Sequence, residues 1–249
     1  MWDIAEVENY SELIDPNDYH KIMRKHLYIS ETDNKIYELI EEKATASKTK
    51  LNICEIGGGT GALTELIVKI ENINLLIIEI DVNFYKFLKE KFDKYKNVTI
   101  VNADISQYDF GSKIDIFYSM GVHHHIPKGE ITTNYLKTIK SNLSDNGFYL
   151  LGDEFIPAYK NDKERTLSLI IWFSHIIENA RIEGHDILAM EEARTLYYDI
   201  LGIEDYKNSL EELNNELDKA KLVCDTIIRF GPQEDIGGLY ICKIKIAAL

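Results

Sequence analysis

Two stretches of this chain hold the residues best suited to chemistry. The first is Ile53-Cys54-Glu55-Ile56-Gly57-Gly58-Gly59-Thr60-Gly61-Ala62-Leu63-Thr64, an apolar run followed by an acid, a glycine-dense turn and the start of a helix. Glycine lets the backbone approach a ligand where a Cβ would collide. A helix start aims free N–H groups back over such a turn. At the carboxyl end of a parallel strand, this combination reads as a cradle for a nucleotide-type cofactor. The second stretch is Ser119-Met120-Gly121-Val122-His123-His124-His125-Ile126, with three consecutive imidazoles. Histidine titrates near neutrality and serves as a base, a hydrogen-bond partner or a metal ligand.

Gly57, Gly59 and Ala62 fit the dinucleotide pattern G-x-G-x-x-G/A. Glu55, Gly57, Gly59 and Gly61 fit E/D-x-G-x-G-x-G, which with Thr60 resembles motif I of the class I S-adenosylmethionine (SAM) dependent methyltransferases. An acid two residues before the first glycine suits the ammonium of SAM and repels a pyrophosphate. The resemblance spans about residues 50–155 and includes the Val122–Ile126 segment, similar to the V-x-H-H-I ending of small-molecule methyltransferases. It implies SAM as cofactor, its methionine and ribose end held by the backbone of Gly57, Gly58, Gly59 and Gly61. Asp81, after the apolar run Leu75–Ile80, is expected to accept the ribose hydroxyls, with Glu79 on the same strand face as runner-up. Asp104 would accept the adenine amine and Ile105 pack on the ring; Val82, Ala103, Met120 and Gly121 complete the expected cofactor contacts.

Methyl transfer requires an in-line approach to the sulfonium methyl, which the protein supplies mainly by orientation in a dry site. His124 or His125 is a candidate base or substrate partner, the alternative being that the histidines pack a helix start. Asp153 or Glu154, closing the next strand, could orient or deprotonate an acceptor, or simply cap a helix. Consecutive residues on a helix point about 100° apart, so three adjacent histidines cannot share one metal, and no metal is expected. The [D/N/S]-P-P-[Y/F] signature of amino-methylating DNA and glutamine enzymes is missing where Ser119-Met120-Gly121-Val122 stands. The acid of Mg-dependent catechol-type enzymes is missing there too. Both absences predict metal-independent transfer to a small-molecule acceptor.

Composition supports the same expectation. The 249 residues carry a formal net charge of −14, with 45% hydrophobic and 28% charged residues, and a pI near 5.0. Phosphate backbones need a basic surface, so no nucleic-acid partner is expected. The amino terminus lacks the basic start and apolar core of a signal peptide, and no apolar run reaches membrane-spanning length. Cys54, Cys224 and Cys242 lack metal-ligand spacing and read as inert strand thiols in a reducing cytoplasm.

The elements that must position these residues follow from periodicity. Strands at 51–56, 75–80, 98–101, 114–119 and 148–152 alternate with helices, which argues a doubly wound parallel sheet. Two last strands, 222–230 and 239–246, have too short a link for a parallel crossover and must pair antiparallel. The predicted fold is therefore one seven-stranded, mostly parallel α/β domain ending in an antiparallel hairpin. Residues 1–50 form a helical cap, 51–156 the cofactor core, 157–221 a helical lid insertion and 222–249 the strand pair. In the lid, Leu167, Ile170 and Ile171 would pack on the sheet domain, leaving Trp172, Phe173 and His175 for an acceptor pocket over Gly121–His125 or for a homodimer contact. The cap helix bearing Tyr10, Tyr19 and His20 would close that pocket. A SAM-binding protein catalysing a rearrangement or cyclisation, or only binding its ligand, is the first alternative. An NAD-dependent oxidoreductase is the second, disfavoured by Glu55 and the terminal hairpin.

Overall fold

A computed structural model describes residues 15–203 and 205–247. Helices α1 (Pro16–Met23) and α2 (Ile29–Ala46) precede the first strand, β1 (Leu51–Ile56). Then come α3 (Thr64–Ile67), β2 (Ile73–Glu79), α4 (Val82–Phe92), β3 (Val98–Asn102) and β4 (Ile114–Met120). The chain continues through α5 (Glu130–Asn142) and β5 (Leu143–Phe155) into α6 (Asp162–Ile182), α7 (Asp186–Leu201) and α8 (Leu210–Ala220). It ends with β6 (Leu222–Phe230) and β7 (Gly238–Ile246).

The strand order is β3-β2-β1-β4-β5-β7-β6. The first five strands are parallel, and β7 lies antiparallel between β5 and β6. Both faces of the sheet are covered, which is why its strands read as nearly continuous apolar runs. Successive residues alternate between two cores. Ile53, Ile77, Ile116, Tyr118 and Leu150 pack under Ile36 and Ile40 of α2. Cys54, Ile78, Phe117, Tyr149 and Leu151 pack under Tyr135 and Ile139 of α5 and Leu213 and Leu217 of α8.

The expected sheet and its hairpin are present, while two helical expectations change. The helix after the glycine turn shrinks to one turn, Thr64–Ile67, so backbone geometry, more than a helix dipole, shapes the cradle. In α6 the expected faces are exchanged. Leu167 is 56% and Ile170 41% exposed, whereas Trp172 is fully buried with Leu169, Phe173 and Ile176. Both sets repeat at helical spacing. The larger aromatic area decides which set turns inward, since rings bury more surface than aliphatic chains. Trp172 is thus a core residue of the lid. The expectation for Tyr10 falls outside the described residues.

Candidate active site

The glycine turn leaves β1 at the carboxyl edge of the sheet, where the central strands β1 and β4 run side by side. Gly59 adopts φ +52°, and among the described residues no atom beyond its chain neighbours lies within 4 Å of where its Cβ would stand. That space is a cradle a side chain would fill, and it faces away from the packed core. By contrast, a Cβ on Gly61 would lie 2.4 Å from the Phe92 ring, so this glycine serves close packing.

Glu79, the last residue of β2, sits beneath the turn. Its Oε2 accepts the Gly59 N–H at 2.7 Å and its Oε1 accepts the Asp81 N–H at 2.8 Å. Burial pushes its pKa up to about 7, against the opposing pull of those two N–H groups. Asp81 has another task. Its Oδ1 accepts the N–H groups of Asn83 and Phe84 at 2.7 and 3.1 Å, capping α4. The acid in contact with the backbone of the cradle is therefore Glu79, the runner-up of the two, while Asp81 caps the next helix. Glu55 also departs from its expected role. Its Oε2 accepts the Thr64 and Tyr118 hydroxyls at 2.5 and 3.0 Å, and burial raises its pKa to about 8. It braces the turn from within, and burial favours its protonated form.

The third strand end is similarly redistributed. Asp104 caps the short turn Ile105–Gln107 through the Ser106 N–H at 2.8 Å. Ile105 is buried in the core and thus unavailable to stack on a purine ring. Val82 is exposed at the start of α4, and the Ala103 N–H is held by the Glu79 carbonyl at 3.1 Å. Gly121, at φ +65°, donates its N–H to the Gly152 carbonyl at 2.9 Å, directly after the half-buried Met120. From the cap, α1 crosses the cradle, with His20 Nδ1 2.9 Å from the Thr60 hydroxyl and Arg24 paired to Glu65 at 2.7 Å.

At the ends of β4 and β5 the three histidines part company. His123 turns to Glu216 of α8 at 2.8 Å. His124 is held by Asp153, whose carboxylate receives its backbone N–H at 3.1 Å and its Nδ1. Burial alone would lower the His124 pKa, but the Asp153 carboxylate raises it to about 9. The Asp153 carboxylate thus favours the protonated form of His124 and occupies its Nδ1. The His124 carbonyl accepts the Tyr206 N–H at 2.6 Å, tying the lid to β4.

Glu154 is occupied as well. It pairs with His26 Nε2 at 2.9 Å and Lys207 Nζ at 3.2 Å, and Trp172 Nε1 donates to it at 3.2 Å. Lys207 also holds Asp205 at 2.8 Å, and Arg165 holds Asp199 at 2.5 Å. Asp153, Glu154, His124 and His125, the candidates read from the sequence, lie together at the ends of β4 and β5. They are joined by His26, Lys207, Glu192, Asp199 and Asp205, which come from the turn between α1 and α2, from α7 and from the segment before α8. No spacing marks those five, since three separate segments deliver them.

A seven-stranded sheet of this order with a glycine cradle at the β1 end defines a class I SAM-dependent methyltransferase. The chain aligns with the solved CurJ carbon methyltransferase at a TM-score of 0.64 and 12% identity, covering 98% of this chain and 62% of that one, a likeness of fold. The model of the ribosomal RNA adenine dimethylase family matches residues 22–150, more than half of the chain, and the chain belongs to that family. It is similar to ribosomal RNA small subunit methyltransferase A of Lactococcus lactis, with 37% identity over 86 residues, 34% of this chain. That stretch spans 29% of the Lactococcus protein. The protein of the same name from Borreliella afzelii is 27% identical over 214 residues, covering 78% of this chain and 73% of the relative.

SAM is the cofactor, and the open space over Gly59 with the Glu79 carboxylate beneath it fits such a ligand. The family membership overturns two expectations: the small-molecule acceptor and the exclusion of nucleic acid. Net charge misled because it averages over the whole surface, while nucleic acid responds to local charge. A cleft of ≈ 410 Å³ among Lys113, Lys137, Lys140, Lys219 and Lys221 carries such a local concentration. No helix among the described residues is long and apolar enough to cross a membrane.

Proposed function

We propose that this chain transfers the methyl group of SAM to an adenine amino group in RNA. The carrying observation is the family match over residues 22–150, which takes in the cofactor cradle and the end of β4, where an acceptor must lie. In this reading Gly57–Gly61 cradle the methionine end and Glu79 accepts the ribose hydroxyls, while Ala103 and Asp104 border the adenine of the cofactor. SAM supplies the electrophilic methyl. The chain orients an amine in line with it, and the lid with its cap excludes water that would compete for the site.

At the strand ends His124 is held by Asp153, and Lys207 is buried between Asp205 and Glu154, so the two segments that border an acceptor are fixed in place. The departing amine proton goes to solvent or to a carboxylate at the rim. The lysine cleft begins at Lys113, before β4, on the far edge of the sheet from the cradle. It supports the reading as a contact for phosphates distant from the target base.

Incubation with methyl-labelled SAM and small-subunit ribosomal RNA, followed by digestion to nucleosides, tests the proposal. Label in N6-methylated adenosine is the expected result. Absence of label in any nucleoside, with S-adenosylhomocysteine still bound by the protein, would overturn the RNA acceptor and leave the cofactor assignment standing.

A further inference from the structure

We infer that His124, His125 and Asp205 form a binding site for a divalent transition metal, zinc in class, spanning the β4 strand end and the lid. Each offers one ligand atom, and those atoms lie within 4.8 Å of one another. His124 Nε2 stands 3.9 Å from Asp205 Oδ1. Two ligands of a tetrahedral zinc are roughly 3.4 Å apart, given metal–ligand bonds of about 2.0–2.1 Å. The separation closes with small side-chain rotations.

The surroundings already do what a metal site requires of them. Asp153 holds His124 Nδ1, which fixes the ring and leaves Nε2 as the ligating atom once the metal displaces its proton. A carboxylate behind a ligating imidazole is the usual outer support of a zinc histidine. Asp205 is positioned by Lys207, whose Nζ donates to Oδ1 at 2.8 Å, and a carboxylate oxygen with one such bond keeps a second lone pair for a metal. The Tyr206 N–H to the His124 carbonyl, at 2.6 Å, keeps the two ligand-bearing segments in register. His123 takes no part because it faces Glu216. Two histidines of the run therefore converge where three could not, the third ligand coming from a distant loop.

Two imidazoles and one carboxylate favour zinc or its first-row neighbours over magnesium or calcium, which select all-oxygen sets. Three protein ligands leave a fourth position for water or for an oxygen of the acceptor. His125 is exposed and offers the entry path, while Asp205 is buried. Bound metal would fasten the segment at 205–209 to the turn after β4. The inference is independent of the acceptor's identity.

Untagged protein stripped with chelator is titrated with Co²⁺, read by its tetrahedral visible absorption, and with Zn²⁺ by calorimetry. One ion per chain is expected. Binding should disappear in His125→Ala and in Asp205→Asn, and weaken about 10–100-fold in Asp153→Asn. It should persist in His185→Ala, which removes a histidine on the far side of the lid. Circular dichroism and S-adenosylhomocysteine binding verify that each variant is folded and cofactor-competent. Absence of stoichiometric binding, or equal affinity in His125→Ala and Asp205→Asn, would overturn the site.

Discussion

Glu79 and Asp81 are two residues apart, and exchanging their roles makes the sharpest prediction. Glu79 uses one lone pair of each oxygen on the Gly59 and Asp81 N–H groups. A carboxylate has about four acceptor positions, so two remain for the ribose hydroxyls. In Glu79→Gln one oxygen becomes an NH₂, which must face either a backbone N–H or a ribose hydroxyl. Loss of hydrogen bonds to a charged acceptor costs about 1.5–3 kcal/mol, which is about 10–150-fold in Kd. Asp81→Ala removes a helix cap and should cost about 0.5–2 kcal/mol of stability, with Kd changing by no more than a few fold. Calorimetric titration with S-adenosylhomocysteine, alongside urea unfolding, reads both quantities. The wild-type affinity should also rise as pH passes about 7, where Glu79 ionises, because hydroxyl donors favour the charged form; Glu79→Gln should flatten that rise. If Asp81→Ala abolishes binding while Glu79→Gln retains it at every pH, the reasoning from the cradle geometry is refuted.

Other outcomes follow from the same contacts. Gly59→Val should abolish S-adenosylhomocysteine binding while lowering stability by only about 1–3 kcal/mol, the scale of a non-glycine residue at positive φ; a variant that still binds would show that the cofactor avoids this space. Trp172→Ala should destabilise by about 3–5 kcal/mol in denaturant unfolding, since it empties a fully buried site and strips a donor from Glu154; a loss below 1 kcal/mol would contradict its core position. Stability should be highest in mildly acidic solution. Glu55, Glu79 and Glu192, raised to about 8, 7 and 7 from an ordinary value of 4.5, favour folding when protonated, so their contribution fades as pH climbs from 4.5 towards 8. His26 and His124, raised to about 9 from 6.5, contribute fully below 6.5 and lose that contribution as pH rises through 9. Asp153 and Glu154, held below their ordinary values, contribute above those values and lose it on further acidification. Melting temperatures that climb from pH 6 to pH 9 would contradict this balance.

The sheet was legible because local patterns determine it. Buried parallel strands must be apolar on both faces, so β1, β2 and β4 announce themselves in Leu51–Ile56, Ile73–Glu79 and Ile114–Met120. A link of seven residues leaves β6 and β7 only an antiparallel pairing. The glycine turn was equally plain, since a positive φ beside a ligand leaves few residue choices. What the sequence could not decide was which of two neighbouring acids meets the cradle. Glu79 and Asp81 share a strand face, and only the start of α4 at Val82 commits Asp81 to capping. Nor could it choose between two helical stripes on α6, because both have the right period and only the shape of the receiving surface separates them. The charged cluster beneath the lid lay furthest from sequence reading. His26, Glu154, Glu192 and Lys207 are far apart in the chain and belong together solely because three segments converge on one strand end. Burying any of these charges alone would be prohibitive, so their pairing is a property of the assembled fold and of no segment within it.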